Sequence, residues 1–111
     1  MPRAFSLHPA LEQDLAQIHA HIAGDNKDAA DRVLKTILQA ISLIKALPEA
    51  SPLYPIDDPM LDGILRRKIV TQFRRRYLVF YTMTEDEVRL LYVHHGALPL
   101  EKRIEGESTR L

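Results

Sequence analysis

The sequence predicts an α+β domain of element order β-α-α-β-β-β, with a helix hairpin packed on one face of a small antiparallel sheet. Two observations carry this. Leu11, Leu15, Ile18 and Ile22, and then Val33, Leu34, Ile37, Leu38, Ile41 and Ile44, recur at the spacing of one helix face. Beyond Gly63 the pattern changes to three runs rich in β-branched and aromatic residues, Ile64 to Val70, Tyr77 to Met83 and Val88 to His95, divided by TQFRR and TEDE, which suit turns. A length of 111 residues with 46% hydrophobic content allows one core, so a single domain is expected over residues 1–111.

The elements follow in order. Ala4 to Leu7 reads as a first strand that stops at His8-Pro9, because a proline at the first helical position is preorganised for a helix start. The first helix runs from about Pro9 to Ala23, and Gly24 is expected to close it in the left-handed conformation. Asp25 or Asn26 can cap the second helix, Asp28 suits its first turn, and Pro48 should end it after Leu47. The short link makes the two helices an antiparallel hairpin. From Pro48 to Gly63 four prolines and one glycine forbid a regular element, so this stretch is expected to be a loop between the helical and the β half. The last three strands form an antiparallel meander. Tyr77 to Met83 lies at its centre, because both of its alternating sets are largely apolar. The sheet face away from the helices is where a concave polar surface is expected. The tail, residues 99–111, is charged, weakly patterned and expected to fray.

Composition excludes several classes. Without cysteine there are no disulfides, thiolate metal sites or Cys nucleophiles. No apolar run approaches the ~18 residues a membrane span needs, and the N-terminus lacks the apolar core of a signal peptide. The expectation is a cytoplasmic protein without membrane association. Gly-rich phosphate loops, nucleophile elbows and paired carboxylates are absent from the sequence, so no cofactor and no metal are expected.

The feature that points to function is segregated charge. Arg66, Arg67, Lys68, Arg74, Arg75 and Arg76 are six of the 15 Lys and Arg residues, and no Asp or Glu stands between Asp62 and Glu85. Arginines on a strand face can be simple solvated charge that discourages aggregation. Here their separation from every acid, on strands rather than on a helix with charged neighbours, favours binding of an anion or an acidic partner. Nine basic against 15 acidic residues remain elsewhere, and the net charge of zero argues against non-specific coating of nucleic acid. His94 and His95 close the last strand before Gly96. A general acid or base is one reading, and a structural imidazole bonded to a loop is the slightly favoured one. His19 and His21, two apart on a helix, are read as surface residues, and Tyr77, Tyr81 and Tyr92 as packing.

The segments ALEQDLAQIHAHI and AADRVLKTILQAISLIKALP, the arginine opening the second strand (Arg66), RYLVFY from Arg76 to Tyr81, and VRLLYVHHG ending in His95-Gly96 occur in the order and spacing of one family. Over roughly residues 5 to 103 the chain resembles the RelE/ParE superfamily, the toxins of type II toxin–antitoxin modules. That resemblance implies a plasmid-stabilising or growth-arresting toxin bound by an antitoxin, as a hetero-oligomer in which an acidic amphipathic segment covers the basic surface. It implies either a ParE-like protein that poisons DNA gyrase by binding or a RelE-like, metal-independent endonuclease of ribosome-bound mRNA. Long helices, zero net charge and the His-Gly ending favour the ParE branch, with a non-toxic antitoxin-binding module as a third reading. In the nuclease branch Arg66, Lys68 and Arg76 would hold the phosphate and His95 would move a proton. In the gyrase branch Arg66, Arg67, Lys68, Arg74, Arg75 and Arg76 would be contacts for target or antitoxin. Leu98 stands where family members commonly carry arginine, so any role of that guanidinium is missing here.

Overall fold

The computed structural model describes residues 3–72 and 75–95. Strand β1 (Ala4–Leu7) leads into helix α1 (Pro9–Ala23), then α2 (Lys27–Ala46) and a single 3-10 turn (Pro48–Ala50). Strands β2 (Leu65–Gln72), β3 (Arg75–Met83) and β4 (Glu87–His95) follow. The sheet order is β1-β4-β3-β2, with β2-β3 and β3-β4 antiparallel, as the meander requires. β1 adds parallel to β4, from Ala4 opposite Glu87 to Leu7 opposite Leu90, so the four-stranded sheet is mixed. The helix hairpin supplies the crossover that a parallel pair needs.

Local chemistry accounts for the element ends. His8 is the N-cap of α1, its ring Nδ1 accepting from the Ala10 N–H at 3.0 Å, with Pro9 at the first helical position. Asn26 caps α2 by accepting from the Ala29 N–H at 3.0 Å. Gly24 does not take the expected left-handed conformation. It stays right-handed at φ −57°, ψ −32°, and the chain turns instead where the Asp25 and Asn26 N–H groups both reach back to the Ile22 carbonyl and Asn26 extends. The left-handed glycine is Gly63, at φ 85°, where the loop turns into β2. Between β3 and β4 the Thr84 hydroxyl accepts from the Asp86 and Glu87 N–H groups at 3.3 and 3.2 Å. TQFRR is less of a turn than expected, since Thr71 pairs with Arg76 and Gln72 with Arg75.

The main core lies between hairpin and sheet, where Leu11, Ile22, Val33, Ile37 and Ile44 meet Val70, Tyr77, Val79, Tyr81, Leu90 and Val93. A second apolar cluster of Leu61, Leu65, Leu78, Phe80, Leu91 and Tyr92 occupies the other face of the sheet, with Tyr54 and Ile56 packed on it. The proline-rich loop therefore folds over the face where a concave polar surface was expected. Enough apolar side chains point that way to need a cover. A β-bulge makes the two faces compatible: Tyr81 opposes Leu90 while Phe80 opposes Tyr92, so Leu91 is an extra residue in β4. Beyond it Val93 turns to the helices and Tyr92 to the loop. The Val93 N–H donates to Asp14 Oδ2 at 3.1 Å, tying α1 to the strand next to the irregularity.

Candidate functional site

Strand alternation decides where the basic residues point. Arg66, Lys68 and Val70 oppose Tyr81, Val79 and Tyr77, which face the helices. Arg67 and Ile69 oppose Phe80 and Leu78, which face the loop, and Arg76 and its partner Thr71 share that side. The cluster that is close in sequence is thus divided between both faces of β2, the edge strand, and the adjoining start of β3. Arg74 and the Arg75 side chain lie outside the described residues, as do the tail and Leu98.

Each described cation has its own setting. The Arg66 Nη1 donates to the backbone carbonyls of Ser51 at 2.5 Å and Glu49 at 3.3 Å, so its half-buried guanidinium holds the segment after α2 against the sheet. Two carbonyl dipoles offset part of the cost of burying this charge, while its Nε is buried without a hydrogen-bond partner among the described residues. The Arg67 guanidinium sits 5.1 Å from the ring centroid of Tyr54, a cation–π contact on the loop-covered face, and Tyr54 in turn meets Phe80 edge-on at 5.3 Å. Lys68 is half-buried and Arg76 exposed, and among the described residues neither has a carboxylate partner.

The two terminal histidines separate as well. His94, 1% exposed, lies on the loop side opposite Leu78, in keeping with a structural imidazole. His95 is exposed on the helix side, its ring 5.2 Å from that of Tyr77, and lines a cavity of about 310 Å³ with Ile18, His21, Ile22 and Tyr77. His21 thus faces a cavity, which its spacing from His19 could not reveal. His19 joins the two helices, its Nε2 2.7 Å from Asp31 Oδ1. Lys68 and His95 share a face but are two strands and two residue rows apart, roughly 12 Å by sheet geometry. Arg76 is on the opposite face. The structure does not bring Arg66, Lys68, Arg76 and His95 to one point.

A sequence profile described as the ParE toxin of the type II toxin–antitoxin system parDE matches residues 5–98, and the chain belongs to that family. Among solved structures it is similar to a chain of the chromosomal ParDE toxin–antitoxin system of P. aeruginosa, with a TM-score of 0.64 and 14% identity over 85% of this chain and 96% of that one. A second neighbour, from the archaeal RelE–RelB complex of Pyrococcus horikoshii OT3, has a TM-score of 0.46 and 12% identity over 88% of this chain and 100% of that one. A search of curated proteins finds no match. No helix among the described residues is long and apolar enough to cross a membrane.

Proposed function

We propose that this ParE-family toxin acts by binding, with DNA gyrase as its target and a cognate antitoxin as the partner that neutralises it. The observation that carries this reading is the dispersal of the four groups a nuclease would need. Stabilising a scissile phosphate requires cations and a proton carrier within hydrogen-bond reach of one atom. Arg66 is engaged by the Glu49 and Ser51 carbonyls, Arg76 is on the opposite face, and Lys68 and His95 are separated by β3. Such a layout suits charged contacts spread over a protein surface better than it suits phosphodiester cleavage. Lys68 and Arg76 are the contact residues for an acidic partner, with Arg66 and Arg67 shaping the surface between the strand and the loop.

The test uses purified components. Inhibition of gyrase supercoiling with ribosome-bound mRNA left intact is the expected result. Cleavage of that mRNA with gyrase unaffected would overturn it in favour of the interferase reading. Loss of both activities, with antitoxin still bound and no growth arrest on expression, would leave only a binding module.

A further inference from the structure

His21 and His95 come from distant parts of the chain to one cavity of about 310 Å³, lined also by Ile18, Ile22 and Tyr77. Regular elements fix both positions. On α1 His21 is three residues beyond Ile18 and next to Ile22, so it borders the stripe that packs on the sheet. On β4 His95 stands opposite Tyr77, and the bulge at Leu91 decides which of the two terminal histidines faces this way. Continued alternation would present His94 instead.

The chemistry of the lining selects the occupant. His8 caps α1 and His19 meets Asp31, whereas no hydrogen bond or ion pair engages the ring of His21 or His95 among the described residues. A neutral imidazole carries one nitrogen lone pair, so two uncommitted donors to a metal share this cavity. Both histidines are exposed and open to ions in solution. No carboxylate is in the lining, and no third His, Asp or Glu completes a cluster among the described residues. Such a donor set disfavours Mg²⁺ and Ca²⁺, which require oxygen ligands, and suits a transition metal that accepts imidazole. Size is compatible as well. A volume of about 310 Å³ is about 7 Å across, against roughly 4 Å between two nitrogens that each bind zinc at about 2.0–2.1 Å, which leaves room for water to complete the coordination. His21 also lies in the last turn of α1, where the negative end of the helix dipole favours an added cation.

We infer that His21 and His95 together hold a divalent transition-metal cation of the zinc or nickel type, which clips the last turn of α1 to the end of β4. Such a clip is independent of the toxin's target. It differs from the nuclease role weighed for His95, because the imidazole gives its lone pair to a metal and moves no proton.

The test uses the full chain without an added histidine tag, titrated by calorimetry with Zn²⁺, Ni²⁺ and, as the control, Mg²⁺, while NMR follows the imidazole nitrogens. One Zn²⁺ or Ni²⁺ per chain and no Mg²⁺ are expected, with the His21 and His95 ring signals moving together. The melting temperature should rise with the metal and return on chelation. His21→Gln and His95→Gln should each weaken Zn²⁺ binding at least about tenfold, since loss of even a supporting partner of a metal ligand costs roughly 10–100-fold. Both side chains are exposed, so the metal-free variants should melt like the parent, and His19→Gln should keep Zn²⁺ affinity within about twofold. Affinity unchanged in either single variant, ring signals that do not move, or no saturable binding would overturn the site. One cation per two chains, with a dimer in sedimentation, would place the metal between copies and overturn the clip.

Discussion

Tyr81 shows how one polar atom can hold a junction in the core. Its ring is fully buried between sheet and helices, and its hydroxyl donates to the Pro48 carbonyl at 2.5 Å. Pro48 ends α2, so the bond fixes where the helix stops relative to β3, and the Arg66 guanidinium secures the next carbonyls on the same segment. Replacing Tyr81 by Phe leaves the packing intact and strands a buried carbonyl, for an expected loss of about 1–2 kcal/mol in urea denaturation. The ring was legible as packing from its strand spacing, but the hydroxyl's partner is 33 positions away in sequence and no local pattern encodes it. The His8 cap differs in kind. It sits immediately before a helix-initiating proline, and a side-chain acceptor at that position is a signal that local reading had available.

Among the elements, β4 is the one whose pattern misleads. Continued alternation would put Val88, Leu90, Tyr92 and His94 on one side, whereas the bulge at Leu91 sends Val88, Leu90, Val93 and His95 to the helices. Because the run is apolar almost throughout, its sequence contains no phase from which the slip could be read. Asp14 meets the strand where alternation resumes, its carboxylate accepting from the Val93 N–H across 79 positions. Asp14→Ala is expected to cost about 1–3 kcal/mol and to speed exchange of the Val93 amide. Asp14→Asn keeps an acceptor oxygen and should cost clearly less, and equal losses for the two would show that the contact does not hold the bulge. The helices were more legible. α1 begins and ends at the residues its periodicity and proline indicate, and α2 stops just before Pro48, because capping and amphipathic spacing are local properties.

For the whole molecule, the proline-rich loop is the part that changes the reading of function. Its composition excludes regular structure without saying where it goes. In the fold it lies across the sheet, covering Leu78, Phe80 and Leu91 and placing Tyr54 between Phe80 and Arg67. Tyr54→Ala is expected to lower stability by about 1–3 kcal/mol and to raise binding of a hydrophobic dye, since it uncovers the second cluster. An unchanged melting curve and dye signal would mean that the loop merely rests on that face. Element order, helix limits, the central position of Tyr77 to Met83, the basic segment and the toxin family were all accessible in the chain, because they depend on periodicity, turn chemistry and composition over short distances. The distribution of that basic segment over two faces, the engagement of Arg66 by backbone carbonyls, the separation of Lys68 from His95, and the meeting of His21 and His95 at one cavity came from the folded arrangement. Each depends on strand register or on contacts between distant residues, and period-two alternation turns neighbours in sequence to opposite sides of a sheet.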